Sequence, residues 1–174
     1  MKVWSFGWNK YGQLGRRNAS KSAVPELVSG PLGQPNSGYV QIHSGWSHTI
    51  AVVKKEDSNV TTLFGWGRNE KGQLGYKSTE KFVDVPQLLK PNNGDVEVIS
   101  ICCGAESSLL IDADEKIYSC GWNEHGNLGF ECSDSCFEWR PATGVKVVAP
   151  PPSSRRRRKH FAASGGAHAI IMKG

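Results

Sequence analysis

Cysteine and histidine residues around position 125 have side chains that could bind a metal ion. Cys132 and Cys136 are separated by three residues, and Cys120 and His125 precede them. Structural zinc sites hold the ion with four closely paired thiolate or imidazole ligands. The spacing here is loose, and Cys120 replaces a phenylalanine found in two related segments described below. We therefore interpret Cys120 as a small buried thiol and predict no metal and no other cofactor.

A glycine-rich stretch and two histidines are the other candidates for chemistry. Gly65-x-Gly67 and Gly72 lack the spacing of a dinucleotide-binding loop, and no helical pattern follows them. His48 and His168 share a position that is Ser107 in a related segment, which favours a hydrogen-bonding role over that of a general base. No catalytic triad or carboxylate pair stands apart from these recurring segments. We predict no catalytic residues and no enzymatic activity.

The densest charge lies in one run, and it supplies the candidate partner-binding residues: Arg155, Arg156, Arg157, Arg158 and Lys159. The chain has 21 basic and 16 acidic residues, so without this basic run the two signs balance at 16 each. Prolines at 150–152 would stiffen the approach to it. The functional interpretation is a contact for phosphate or an acidic protein patch, or a nuclear import signal. The alternative is a solvated insertion. No aromatic residue interleaves the run, so direct nucleic-acid binding is not expected.

These residues belong to a chain that repeats itself three times. The segment Phe6–Gly15 recurs as Phe64–Gly75, two residues longer, and as Cys120–Gly129. Aligned on their tryptophans, the copies are 58 and 56 residues apart (66 − 8 and 122 − 66). The structural repeat positions predicted from this alignment are Gly7, Trp8, Gly12, Leu14, Gly15, Gly65, Trp66, Gly72, Leu74, Gly75, Gly121, Trp122, Gly126, Leu128 and Gly129, with His48 and His168 in a second landmark.

A second landmark follows each copy in the same order. It reads Ser44–Thr49, Cys103–Ser108 and Ser164–Ala169, and a short apolar run comes after each. A proline after each turn, at Pro25, Pro86 and Pro141, is the third landmark. Self-similarity at a period above fifty residues indicates a solenoid or propeller. We divide the chain into repeats at about 1–53, 54–111 and 112–174, forming one domain with the basic loop at 149–160.

Local patterning makes the repeats all-β. Every second residue ahead of each turn is large or apolar, as in Trp4, Phe6 and Trp8, which predicts strands with one buried face. We expect each repeat to form one four-stranded unit. We also expect Trp8, Trp66 and Trp122 to be buried alike, because the alignment gives them one position.

The combined landmarks resemble the regulator of chromosome condensation repeat over Val3–Met172. This resemblance implies a β-propeller, usually of seven blades, each with four antiparallel strands. The chain has residues for about three blades, so an incomplete ring is expected. We expect a partial gene product, or a chain that self-associates to complete the ring and exposes apolar flanks when alone.

Three functions are implied by the resemblance: a protein-binding scaffold, an exchange factor for a small GTPase such as Ran, and the plant ultraviolet-B photoreceptor. The photoreceptor repeats carry Gly-Trp-Arg-His-Thr, whereas Gly45–Thr49 has Ser47 in place of the arginine. The third repeat, with Glu124-His125, is similar to the secretion-regulating exchange-factor-like and fungal alpha-tubulin suppressor proteins. The latter kind partners a small zinc protein in transfer-RNA and diphthamide modification. We expect a scaffold of this short kind, with exchange activity as the alternative.

Composition bounds the compartment. No apolar run approaches the roughly 20 residues that span a bilayer, and no secretory signal pattern begins the sequence. Five cysteines, an odd number, indicate reduced thiols. The sequence therefore predicts a cytoplasmic or nuclear protein without a membrane partner.

Overall fold

Twelve antiparallel strands make up the computed structural model, which describes residues 2–17, 21–32, 37–55, 60–91, 96–131, 134–143 and 160–173. The basic run at 155–159 lies outside these residues. The described part contains no α-helix, and therefore no helix long and apolar enough to cross a membrane. The expected all-β architecture is confirmed.

The strands form four sheets, here called the first to fourth units. The first unit pairs β1 (Trp4–Gly7) with β2 (Ser22–Leu27), and the fourth pairs β11 (His160–Ser164) with β12 (Ala169–Lys173). The second unit contains, in order, β3 (Ser37–Ser44), β4 (His48–Lys55), β5 (Thr61–Arg68) and β6 (Phe82–Leu89). The third contains β7 (Val98–Cys103), β8 (Ser107–Asp112), β9 (Ile117–Gly121) and β10 (Cys136–Pro141).

The expectation that each repeat forms its own sheet is wrong. The second unit takes β3 and β4 from the first repeat and β5 and β6 from the second, joined by the pairing of β4 with β5. The third unit straddles the next boundary in the same way. The repeat and the sheet are out of phase by two strands. The four described sheets do not close into a ring.

Apolar side chains fill the spaces between successive units. Between the second and third units, the buried residues include Ile50, Leu63, Leu74, Leu110 and Tyr118. A smaller cluster joins the first and second units, and another packs the fourth unit against the third. Each sheet thus contributes one side of the hydrophobic core that it shares with the next sheet, so the stability of the protein comes from packing between neighbouring units.

The turns after β1 and β5 bring neighbouring units into close contact. Gly72 has φ +80°, and a Cβ there would lie 2.6 Å from the Cα of Phe137 on β10. Gly12 meets the backbone of Asp84 on β6 in the same way. A side chain at either glycine would separate the units, and the positive φ independently favours glycine.

The predicted common burial of three tryptophans is wrong. Trp66 is 2% exposed, packs on Gly15 and Val28 of the first unit, and donates from Nε1 to the carbonyl of Gln13 at 2.9 Å. Trp8 is 53% exposed and Trp122 is half-buried. Of these three tryptophans, only Trp66 lies between sheets.

We predict that Trp66→Ala lowers the free energy of unfolding by about 3–5 kcal/mol, the usual cost of removing a large aromatic side chain from a core. Trp8→Ala is the matched control and should cost less than about 1 kcal/mol, because that side chain is exposed. Urea titration measures both. Equal losses in the two variants would contradict this account of the interface.

Candidate partner-binding surface

One end of every unit carries the loops that follow odd-numbered strands. Because each sheet is an antiparallel meander, the loops after β3 and β5 lie at the same end of the second unit, as do those after β7 and β9 in the third. The loops after β1 and β11 continue this end in the first and fourth units. We call this end the turn face.

Successive turns on this face are joined by hydrogen bonds. The amide of Trp46, in the β3–β4 turn, donates to the carbonyl of Gly104 in the β7–β8 turn at 3.3 Å. Ala105 in that turn donates to Gly165 in the β11–β12 turn at 3.1 Å. The backbone therefore holds three units' turns in a fixed series.

A buried asparagine organises the larger loop that follows β1, β5 and β9. In all three copies its Oδ1 accepts the amide hydrogen of the leucine five residues later: Asn9 from Leu14 at 2.7 Å, Asn69 from Leu74 at 3.0 Å, and Asn123 from Leu128 at 2.8 Å. Its own carbonyl accepts from the amide of Gly12, Gly72 or Gly126. These bonds satisfy the buried turn and direct each leucine into the space between sheets.

The asparagines correct the sequence alignment. Gly7, Gly67 and Gly121 all have φ near +100°, between 97° and 112°, and each precedes a buried asparagine by two residues. Gly67 and Gly121 also pair with equivalent residues, His48 and Ser107. Gly67, and not Gly65, is therefore the equivalent of Gly7 and Gly121. With this alignment the second copy has no inserted residues.

Under the corrected alignment, the residue after this glycine is Trp8, Arg68 or Trp122. The position is therefore one on the turn face, which explains why two tryptophans there are not buried. Trp66 is instead equivalent to Phe6 and Cys120. The recurring Asn–Leu spacing of five residues was the signal in the sequence that could have found this register.

Arg68 links three units on the turn face. Its guanidinium carbon lies 5.0 Å from the centre of the Tyr11 ring in the first unit, and its Nη1 donates to Glu106 of the third unit at 2.7 Å. Its Nε pairs with Glu70 in its own loop, and the hydrogen bond lowers the pKa of that carboxyl group. The Arg68 and Glu106 side chains are 18% and 17% exposed, so this ion pair is better shielded than an ordinary surface pair.

Three tryptophans lie in the turns that flank that ion pair, with Trp8 and Trp46 exposed and Trp122 half-buried. Trp46 is 65% exposed in the β3–β4 turn, where the third and fourth units have Ala105 and Gly166. Trp8 packs edge-on against Tyr11, and Trp122 against His125, at centroid distances of 5.7 and 4.9 Å. Stacking of the sheets does not account for Trp46, since smaller residues serve in the other two turns. Aromatic residues with arginine are typical of binding hot spots.

His48 lies beneath the same face in a buried polar contact between units. Its Nε2 is 2.8 Å from Oγ of Ser108, which itself donates to the carbonyl of Gln73 at 2.6 Å. Because the single hydroxyl hydrogen of Ser108 is donated to that carbonyl, the serine oxygen acts as acceptor towards His48. The neutral imidazole of His48 therefore donates from Nε2. Burial lowers the pKa of His48 to about 4, and the Ser107 backbone only partly opposes this shift. His168 is exposed in the fourth unit.

The cysteines of the third unit are part of its core. Cys120 and Cys136 are buried, and burial raises the pKa of the Cys120 thiol well above its usual range. The Cys120 sulfur lies 3.6 Å from the carbonyl of Gln73. Cys132 lies outside the described residues, and within them no group of three potential ligands is placed to hold a metal ion.

The chain matches the family model for the regulator of chromosome condensation repeat over residues 2–52 and 62–111, and a second model of that repeat over 98–127. The chain belongs to this family. Its members include the zebrafish (Danio rerio) "Protein RCC2 homolog", which is 33% identical over 128 residues, covering 74% of this chain and 24% of the relative.

Two further relatives show how widely the repeat is used. The human "RCC1-like G exchanging factor-like protein" is 30% identical over 139 residues, covering 74% of this chain and 29% of the relative. The human "Probable E3 ubiquitin-protein ligase HERC6" is 34% identical over 129 residues, but the match covers 12% of it. The chain therefore spans less than a third of each of these proteins, and a name describing catalysis there describes a much longer protein.

Solved structures agree on the propeller fold. Human WBSCR16 superposes with a TM-score of 0.72 at 22% identity, covering 98% of this chain and 41% of that one. Prp20p from Saccharomyces cerevisiae superposes with a TM-score of 0.67 at 19% identity, covering 99% and 39%. At this identity the likeness shows the fold alone, and the chain spans about two fifths of these propellers.

We predict that Asn69→Ala lowers the free energy of unfolding by about 1–3 kcal/mol, because it leaves the buried amide of Leu74 without an acceptor. Asn123→Ala makes the same change in the next copy and should give a similar loss. Urea titration checks both variants. A loss confined to one copy would contradict a common role for these asparagines.

We predict that His48 makes the protein less stable in mild acid. The unfolded chain takes up a proton near pH 6.5 and the folded chain only near pH 4, so this stability is complete above pH 6.5 and is lost as pH falls towards 4. Between pH 7 and pH 5 the free energy of unfolding should fall by about 2 kcal/mol on this account.

Substitution separates His48 from the other titrating groups. His48→Gln should flatten the pH dependence, measured by urea titration at both pH values, whereas the matched change His168→Gln at the exposed equivalent position should leave it intact. The same pH dependence in His48→Gln and the unmodified protein would show that another group is responsible.

Proposed function

We propose that this chain is a protein-interaction scaffold of the propeller type, and not an enzyme, that binds its partner through the turn face. The observation that carries this proposal is an exposed Trp46 in a turn whose backbone is bonded to the segments that carry the shielded Arg68–Glu106 ion pair. Ser47 accepts the amide hydrogen of Arg68, and Trp46 donates to Gly104, two residues before Glu106. An anchored arginine next to exposed aromatic rings offers contact area at low cost in side-chain entropy.

A guanine nucleotide exchange factor, or a regulator of one, is the second candidate. The human exchanging-factor-like relative carries that activity in its name, and the structure of Prp20p is described together with its binding to Gsp1p and histones. These statements concern much longer proteins. A small GTPase is thus one proposed partner for the turn face.

A narrower form of the scaffold proposal is an accessory role in transfer-RNA or diphthamide modification with a small zinc protein as partner. Glu124 and His125 support it, because both are exposed in the loop after β9 on the turn face. This narrower proposal is tested by identifying the captured partner, which should be a small zinc protein.

The basic run is proposed as a second contact, for an acidic partner or for nuclear import, so we propose both cytoplasm and nucleus as locations. Its described neighbours on the chain, the end of β10 and the start of β11, are at the opposite end of the sheets from the turn face.

Self-association to complete the ring is a further proposal. Apolar side chains are exposed on the outer sides of the first and fourth units, among them Phe6, Phe161 and Ile170. Phe6 is equivalent to the buried Trp66, and Ile170 to the buried Ile50, so both belong to interfaces between units. Sedimentation over a range of concentrations tests whether a second copy covers them.

We predict that a partner captured by the immobilised protein is lost on Trp46→Ala and retained by Leu88→Ala. Leu88 is the matched control, since it is 53% exposed and lies near the far end of β6. Quantitative mass spectrometry of the captured material checks this. Equal retention by both variants would remove the turn face as the scaffold's binding surface.

The exchange alternative has its own measurement. An exchange factor accelerates release of a fluorescent guanine nucleotide from a small GTPase, and a scaffold does not.

Replacing residues 155–159 with serine should leave the fold intact, as judged by circular dichroism. The same replacement should weaken the binding of an acidic partner and flatten the salt dependence of that binding. Unfolding of that variant would show instead that the run is structural.

A further inference from the structure

Charge changes sign along the turn face. The loop that follows β1, residues 8–21, contains Lys10, Arg16, Arg17 and Lys21 and no acidic residue. The loop that follows β9, residues 122–135, contains Glu124, Glu131 and Asp134 and no lysine or arginine. Both loops begin and end at the turn face, but between these points they cross to the opposite end of the sheet, where the carbonyls of Gly15 and Gly129 accept from the amides of Ser29 and Thr143. The charges near the two ends of each loop, Lys10 and Lys21 in the first unit and Glu124 and Asp134 in the third, therefore lie at the turn face and are opposite in sign.

Exposure makes these charges available to a partner. Arg16 is buried and paired with Glu26, and Arg17 follows the crossing at Gly15, so the exposed positive charges of the first loop at the turn face are Lys10 and Lys21. In the third unit, Glu124 and Asp134 are exposed there, whereas Glu131 follows the crossing at Gly129.

The loop of the second unit lies between the basic and the acidic loops and carries charges of both signs. Residues 68–81 contain four basic and two acidic residues, and Lys81 pairs with Glu70 at 3.4 Å. Arg68 extends towards Tyr11 on the basic side and Glu106 on the acidic side, so it marks the boundary between the two. That network holds the basic and acidic ends in fixed relation to each other.

We propose that the turn face docks a folded protein whose own surface is bipolar, with an acidic patch over Lys10 and Lys21 and a basic patch over Glu124 and Asp134. This inference rests on the scaffold function proposed above and adds the chemistry and the orientation of the partner. Opposite charges at two ends of one surface favour a single orientation, because the reversed one juxtaposes like charges.

A polyanion such as a nucleic acid fits this surface poorly. Its uniform negative charge would be attracted by Lys10 and Lys21 but repelled by Glu124 and Asp134. Trp46, exposed on the second unit between these ends, supplies an uncharged anchor of the kind that protein partners use. The observations therefore favour a protein.

The test uses a defined probe, a synthetic peptide with five glutamates, a glycine linker and five lysines, carrying a spin label at the glutamate end. All proteins have residues 155–159 replaced by serine, because that run would bind the same probe. Two matched double variants reverse the charges at the two ends of the turn face: K10E/K21E and E124K/D134K. A fourth protein carries both reversals. Fluorescence anisotropy at low salt measures affinity, and broadening of amide signals in NMR spectra locates the label.

We expect the label to broaden residues around Lys10 in the protein with the natural charges and around position 124 in the protein with both reversals. Each single reversal should weaken binding about tenfold, and the combined reversal should restore it, because complementarity returns in the opposite orientation. High salt should remove these differences. The proposal is overturned if the label broadens the same residues in all four proteins, or if the combined reversal does not restore the affinity.

A second copy of the chain is the competing occupant, since a bipolar face can also complement itself. Sedimentation at low salt distinguishes it. A dimer that is lost in each single reversal and regained on mixing the two variants would overturn the assignment to a different protein. These outcomes do not depend on whether a cellular partner is captured, so failure of the scaffold function and failure of the docking orientation remain distinguishable.

Discussion

The hydrogen bond from a leucine amide to a buried asparagine side chain is the interaction on which the rest of the structure depends. It closes the loop after β1, β5 and β9 with the amide satisfied, although the loop is buried against the next sheet. That closure places Leu74 between the second and third units. It also brings Gly12 and Gly72 against the backbone of the following unit. One local turn thereby sets the spacing between sheets.

The spaces between sheets tolerate different residues because the neighbouring sheet adapts. Trp66 fills the space next to Gly15 from a middle strand, β5. In the third unit the equivalent residue is Cys120, and Trp139 from the adjacent strand β10 packs against Gly75. The carbonyl of Gln13 accepts from an indole, whereas that of Gln73 accepts from the hydroxyl of Ser108. An indole ring thus packs against the glycine in both interfaces although it comes from different strands, whereas its hydrogen bond is present only for Trp66.

The turn face departs from this regularity where partner binding is proposed. The position after the glycine is tryptophan in two units, and Arg68 in the second makes contacts on both sides. Trp46 stands where other units have small residues. Neither departure is required for stacking. A scaffold whose backbone is held by repeated turns can vary these exposed positions without altering the fold, which is how propellers accommodate many partners.

The sequence by itself determined the family, the strand content and the recurrence of the turn, because glycine and leucine recur at positions where few other residues are accepted. It did not determine which strands share a sheet. Within every sheet, strands that follow each other in the chain pair, and β4 with β5 joins two sequence repeats, so the repeat pattern is the same wherever one sheet ends and the next begins. Only the packing between units places that boundary between β2 and β3.

The sequence also favoured the wrong register for Trp66, since matching one tryptophan to another outweighed a less conspicuous asparagine. Whether a tryptophan is buried depends on which side of the sheet meets a neighbour, and a shift of position along the strand changes its surroundings completely. The contacts of Arg68 with Tyr11 and Glu106, and the meeting of basic and acidic loops on one face, were likewise decided only by the stacking of units. Residues far apart in the chain come together there because each sheet buries its apolar surface against the next.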